Sequence, residues 1–237
     1  CVREAIWGEI LNSALPYGAV RALGVISTGT EFAVEVADTK LPGTAPRGLV
    51  ARDSALRPAH YMRSVFFSPS LEMNMWCNDP ARTKAAVSAF VHGVCSLRQP
   101  ESHSAEFSPE DLNIGLSEIF RRAASQIAAS RAKRIIHGSL ISSNFALDGR
   151  WLDFGTVTAL AGHGRAIVAP GSLDLWSQQA SVIETIHDLH FYLSKYLASD
   201  WRLQLVSREE LTENFLEHFR VRLQVEFLKL TGLPEAQ

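Results

Sequence analysis

The sequence predicts an α+β chain in two parts, a small mixed segment followed by a larger helical one. Three observations carry this reading. The stretch EFAVEVAD, from Glu31 to Asp38, alternates apolar and polar residues as a half-buried strand does. After residue 79, apolar residues recur at helical spacing over long stretches. The helical pattern breaks over 134–155, where two short apolar runs flank turn residues.

The elements follow in order. VREAIWGEILNSAL reads as a helix with Ile6, Ile10 and Leu11 on its apolar face, ended by Pro16 and Gly18. ALGVIST reads as a strand, Gly29 as a turn and EFAVEVAD as a second strand. Residues 41–48 hold Pro42, Gly43, Pro46 and Gly48 and so predict a loop before the short strand GLVAR. Asp79 and Pro80 suit the cap and first turn of a helix carrying Ala86, Phe90, Val91 and Val94. Residues 99–107 are polar and read as exposed; Ser108 and Pro109 then open a helix. Its stripe is Leu112, Leu116, Ile119, Phe120, Ala123 and Ile127. A loop, a hairpin turning at Asp148-Gly149 and another loop are expected over 134–155, and 162–171 reads as irregular. Ile183, Ile186, His190, Leu193 and Leu197 mark the next helix. The last one begins at Ser207 with Glu210 three residues on, a capping box, and ends before Gly232 and Pro234.

Composition narrows the function classes. The chain has 237 residues, 46% of them hydrophobic, and a formal charge of −2. Disorder is excluded by the apolar content. No stretch approaches the roughly 20 apolar residues that span a bilayer, so no membrane partner is expected. The near-neutral balance gives no electrostatic case for nucleic acid. Cys1, Cys77 and Cys95 lack metal-type spacing and cannot make a disulfide framework, which points to a reducing, cytoplasmic compartment. His187 and His190 lie three apart but lack a third ligand, so they read as structural.

One constellation carries chemistry. Asn144 follows His137 by seven residues, and Asp153-Phe154-Gly155 follows Asn144 by nine. Kinase-like phosphotransferases use this order. Mg²⁺ takes hard oxygen ligands in octahedral geometry, and an Asn carbonyl and an Asp carboxylate joined by a hairpin can hold it against nucleotide phosphates. Gly155 would let the chain turn sharply after the aspartate. His137 is expected to pack and to position the loop. The protein-kinase base lies two residues after the His, and Ser139 stands there.

The stretches REAIWGEILNSALPYGAVRALGVISTG, LVARDSALRPAHYMRS, HGSLISSNFALDGRWLDFG and PGSLDLWSQQASVIETIHDL resemble, in order and spacing, those of the selenoprotein O family. These are kinase-fold protein adenylyltransferases. The resemblance covers roughly residues 2 to 200. It implies a protein-kinase-like two-lobed fold, with 1–67 as the remnant of the small lobe and 68–237 as the helical large lobe. It implies transfer of AMP from ATP, with Mg²⁺ or Mn²⁺, to Ser, Thr or Tyr hydroxyls of protein substrates. Glu4 would be the helix glutamate that orients a nucleotide-gripping lysine, with Glu9 its rival. Arg52 and Arg63 would contact the phosphates, Arg57 competing with Arg63. Asn144 and Asp153 would hold the metal. Ser143 stands where the family has its proposed base, an aspartate. The lysine and the glycine-rich strands are expected upstream of Cys1, and low activity is expected of this chain. A phosphotransferase and a silent nucleotide-binding pseudoenzyme are the competing readings.

Overall fold

The computed structural model describes residues 1–35, 42–64, 78–95, 109–197 and 204–232. The expected part boundary at 67/68, the polar stretch 99–107, Ser108, Cys77 and Pro234 lie outside the described residues. The chain is α+β. Helix α1 spans Val2–Ala14 and is followed by strands β1, Ala22–Glu35, and β2, Pro42–Arg52. A 3₁₀ turn at Pro58–Tyr61 leads to α2, Asp79–Cys95, and α3, Pro109–Ala132. Two-residue strands β3, Ile135–Ile136, and β4, Thr158–Ala159, bracket the 134–155 break. Helices α4, Gln179–Leu197, and α5, Arg208–Lys229, complete the order.

The two sheets are separate antiparallel pairs, β1 with β2 and β3 with β4. β1 is one long strand where two strands and a turn are expected. Gly29, at φ +68°, takes up the irregularity between Ser27 and Glu31 without ending it. Of the expected loop at 41–48, residues 42–48 instead form most of β2. Pro46 pairs opposite Glu31 and Pro42 opposite Glu35. Proline lacks an N–H, but in a two-stranded ribbon each strand pairs on one side only, and edge strands are where sheets tolerate proline.

The core is built on α3. Its whole expected stripe is buried, and Ala124, Ala128 and Ala129 extend the burial around the helix. These small residues let α4 and α5 approach closely, and Ile186, Leu189, Leu193, Leu211, Phe215 and Phe219 fill the space between. Leu223 still packs against this core and Glu226 is buried, while Leu228 and Leu230 at the helix end are exposed. Ser207 caps α5 as expected, its Oγ accepting the Glu210 N–H at 3.1 Å. At α2 the cap is one residue earlier than expected. Asn78 Oδ1 accepts the Ala81 N–H at 3.2 Å, which frees the Asp79 carboxylate for Arg82 and Arg63.

Arg131 at the end of α3 is buried and anchors the irregular 160–178 segment. It donates to the carbonyls of Leu175 at 3.0 Å and Trp176 at 2.9 Å, and its guanidinium lies over the Trp176 and Phe219 rings. Burial pulls its pKa down to about 10, with Asp174 opposing, so it stays charged at neutral pH.

Helix α1 turns a different face inward from the one its apolar residues suggest. Gly8 and Leu11 are buried, while Ile6 and Ile10 are exposed. Gly8 lies on the side of the helix that faces Phe154, and the packing there does not require a glycine. A Cβ built at Gly8 would meet the Phe154 ring at 3.6 Å and the Val20 carbonyl at 3.9 Å, ordinary contact distances. Gly8→Ala is therefore expected to raise stability by about 0.5–1 kcal/mol, because glycine in a helix interior costs that much relative to alanine. Urea unfolding of the two proteins measures it; a loss of stability would show that the helix needs a closer approach.

Candidate functional site

The 134–155 break folds as a loop and hairpin. Phe145 bridges Trp151 antiparallel, and the Ala146 N–H donates to the Arg150 carbonyl at 2.8 Å. Gly149 sits at φ +95° and closes the turn. Asp148 accepts from the Arg150 backbone N–H at 3.1 Å and from its guanidinium at 2.8 Å. The hairpin is then tied to the chain after β2. Ala59 N–H donates to the Ser142 carbonyl at 3.1 Å, and Leu147 N–H to the Leu56 carbonyl at 2.8 Å. Arg150 also reaches Asp53 at 2.6 Å. That ion pair, with a bond from the Ser54 N–H, holds the Asp53 carboxyl below the usual carboxylate range.

His137 is the pin of this arrangement. It is fully buried, with its ring edge-on to Trp151 at 5.2 Å and to Phe154 at 6.3 Å. Nδ1 accepts from the Ser139 N–H at 3.3 Å, so the proton sits on Nε2 and is donated to the Leu152 carbonyl at 3.1 Å. One imidazole thus joins the loop to the arm of the hairpin that leads into Asp153. Burial drives its pKa down to about 4, so it is neutral near pH 7.

Asn144 and Asp153 line one cavity of about 490 Å³, together with Arg52, Asp53, Arg57 and Val20, Ala55 and Leu152. Asn144 is buried, and its amide N–H₂ donates to the Ser139 carbonyl at 2.7 Å. This fixes its Oδ1, which accepts from the Ser143 hydroxyl at 3.0 Å. Asp153 is exposed and sits at φ +64°, a left-handed conformation that costs a non-glycine residue about 1–3 kcal/mol. The strained residue is thus the aspartate, and the turn does not depend on Gly155, which lies outside the left-handed region. Glu4 compensates: its Oε1 accepts the Asp153 N–H at 3.1 Å and its Oε2 the Phe154 N–H at 2.8 Å. The same carboxylate pairs with Arg52 at 3.1 Å.

The structure therefore brings together Glu4, Arg52, Asn144 and Asp153, with Ser143 bonded to Asn144. It does not bring in Glu9, which forms a solvent-exposed pair with Arg21 at 2.8 Å. Arg63 is absent from the cavity lining and pairs with Asp79 at 3.2 Å, at the start of α2. Arg57 takes a place in the lining, with its guanidinium donating to the Ser143 carbonyl at 3.1 Å. Asp53, in the lining, and Arg150, which pairs with it from outside the lining, are residues that sequence spacing did not single out. Their only signal was the pairing of charges across the hairpin, which spacing does not reveal.

A larger cavity of about 1020 Å³ lies between α3 and α5 and includes Glu110, Glu118, Glu210, Glu217 and His218. It holds none of the 134–155 loop. Its charged lining is mostly carboxylate, and the arginine it does contain, Arg121, is paired with Glu118, so the smaller cavity, with Arg52 and Arg57, is the better candidate for chemistry on an anion.

Asn144 and Asp153 suit a hard divalent cation, since both offer oxygen and both face the same space. Among the described residues, no group of three His, Cys, Asp or Glu could hold a metal unaided. A cation here would need phosphate oxygens and water for its remaining ligands, which is how Mg²⁺ is usually bound beside a nucleotide. No helix among the described residues is long and apolar enough to cross a membrane. No protein-family model and no curated protein matches the chain.

If the cavity binds phosphate, its two arginines should matter unequally with Arg63. Arg57→Ala is expected to weaken ATP–Mn²⁺ binding about tenfold, a typical loss for one charge-assisted contact. Arg63→Ala should leave it within about twofold, because an exposed ion pair is worth little. Isothermal titration of both variants compares them directly; the reverse order would put the phosphate site beside α2.

Proposed function

We propose that this chain is a kinase-like nucleotidyltransferase resembling selenoprotein O, using ATP and a divalent cation to move AMP onto protein Ser, Thr or Tyr hydroxyls. The observation that carries the reading is the double role of Glu4. It holds a cavity-lining arginine on one side and the backbone of Asp153 on the other, so α1, the end of β2 and the loop after the hairpin converge on one space. In this reading Glu4 orients Arg52, a cation that would lie against phosphate.

The residues divide the work. Arg52 and Arg57 would neutralise the phosphates and hold them in line, the electrostatic share of catalysis. Asn144 and Asp153 would hold Mg²⁺ or Mn²⁺, which when bound supplies further charge neutralisation at the transferring phosphoryl group. In the reaction the acceptor oxygen bonds to the α-phosphorus, the bond to the bridging oxygen breaks, and pyrophosphate leaves. The hydroxyl proton leaves too, to a positioned base where there is one and otherwise to water. Ser143 donates its own proton to Asn144 and Ser139 carries no carboxylate, so neither serves. Asp53 lines the cavity, but its lowered pKa makes it a weak acceptor. A rate roughly 10²–10⁴-fold below that of an enzyme with a positioned base is expected.

The Ser143 hydroxyl bond also favours a second reading, a nucleotide binder without turnover. One experiment separates the readings. Protein label from α-³²P-ATP supports AMP transfer, and label from γ-³²P-ATP alone supports a phosphotransferase. Label from neither, with binding intact and transfer gained by Ser143→Asp, supports the silent binder.

A further inference from the structure

Arg3 is the residue that neither the sequence constellation nor the cavity lining draws attention to. We propose that it is a positioning residue for Asp153, acting through the backbone of 155–157; this rests on the reading of Asn144 and Asp153 as a metal–nucleotide site. Its Nε donates to the Gly155 carbonyl at 3.2 Å, and its Nη2 donates to the Val157 carbonyl. Glu4, the next residue on α1, accepts the amides of Asp153 and Phe154. Two neighbouring side chains of one helical turn therefore grip a five-residue segment at both ends, one through its donors and one through its acceptors.

The grip has a task. Asp153 is held in a left-handed backbone that a free chain would leave. Glu4 alone fixes only the amides, and the segment could still pivot about them and swing the carboxylate. Arg3 removes that freedom, with Phe154 buried beneath α1 and the Thr156 hydroxyl donating to the His137 carbonyl at 2.7 Å as further fixed points. The two carbonyls are two residues apart, and the planar fork of arginine spans them, whereas a lysine ammonium could hold one at a time. Arg3 is exposed, so its removal should disturb the segment far more than the fold.

The test compares the wild-type chain with Arg3→Ala and Arg3→Lys. Hydrogen exchange of the 153–157 amides reads the clamp. Titration of Mn²⁺ in the presence of α,β-methylene-ATP reads the site, and the melting temperature reads the fold. Arg3→Ala should raise exchange about tenfold and weaken Mn²⁺ binding about tenfold, the usual scale for an outer-shell partner. Its melting temperature should stay within about 2 °C, and Arg3→Lys should fall between. Unchanged exchange in Arg3→Ala overturns the clamp, as does faster exchange with unchanged Mn²⁺ affinity. If the wild type binds no Mn²⁺ with nucleotide, the reading of the site fails. Exchange then still decides the clamp: a tenfold rise supports it and no rise overturns it. Should Arg3→Ala not fold, Arg3→Lys gives the same readouts, and wild-type values there overturn the proposal.

Discussion

Replacing His137 by alanine is expected to cost about 3–5 kcal/mol, the scale for removing a buried ring from a packed core. The ring fills space between Trp151 and Phe154 and carries two hydrogen bonds, so both a cavity and unpaired backbone groups remain. At 2–4 °C per kcal/mol for a chain of this size, the melting temperature should fall by roughly 6–20 °C. The same residue sets an acid limit. Its folded pKa, about 4, lies below its ordinary value of 6.5, so the unfolded chain binds more protons between these values. Stability therefore rises with pH through this window. The His137 contribution is complete above about pH 6.5 and is lost progressively as pH falls toward 4, by about 3 kcal/mol in all. Burial lowers the His60 and His218 pKa values too, in the same direction. Urea midpoints at pH 7 and pH 5 check this: the wild type should lose stability on acidification, and His137→Ala should lose less. Equal losses would show that other groups govern the acid limit.

The second large effect concerns Asp153. Asp153→Asn keeps a side chain that tolerates the left-handed backbone, so stability should change little. It removes the charge that would hold the cation, and Mn²⁺ affinity with nucleotide should fall at least about 100-fold. Asp153→Gly separates strain from function. Glycine relieves the φ +64° conformation and should stabilise the fold by about 1 kcal/mol while abolishing metal binding. A protein that becomes more stable as it loses the cation would show that the backbone strain is kept for the site. Calorimetric unfolding and Mn²⁺ titration of the same samples decide the matter.

Much of the helical scaffold was legible from spacing. The α3 stripe, the Ser207 cap and the Asp148-Gly149 turn depend on local periodicity and local hydrogen bonds, which a sequence carries directly. Other features depend on tertiary partners and were not legible. The inward face of α1 goes with its long-range ties, in which Arg3 and Glu4 bond the 153–157 segment, so Gly8 and Leu11 turn inward and Ile6 and Ile10 stay exposed. The Pro-Gly pattern of 42–48 reads as a loop because the rule against proline in strands assumes a neighbour on both sides, and β2 has only one. In the candidate site, Glu4, Arg52, Asn144 and Asp153 meet because the hairpin and α1 fold onto the end of β2. The choice between Arg57 and Arg63 depended on where the 3₁₀ turn at 58–61 sends the chain. Arg57, before the turn, faces the cavity, and Arg63, after it, is carried to Asp79.

Whether Asn144 and Asp153 hold a divalent cation against a nucleotide is best decided by electron paramagnetic resonance of Mn²⁺ with the purified chain. Relative to Mn²⁺ with α,β-methylene-ATP alone, wild-type protein should lower the signal further to a one-to-one endpoint, and Asp153→Asn should leave it at the protein-free level. No further change on adding wild-type protein, or the same further change with Asp153→Asn, would contradict the proposed site.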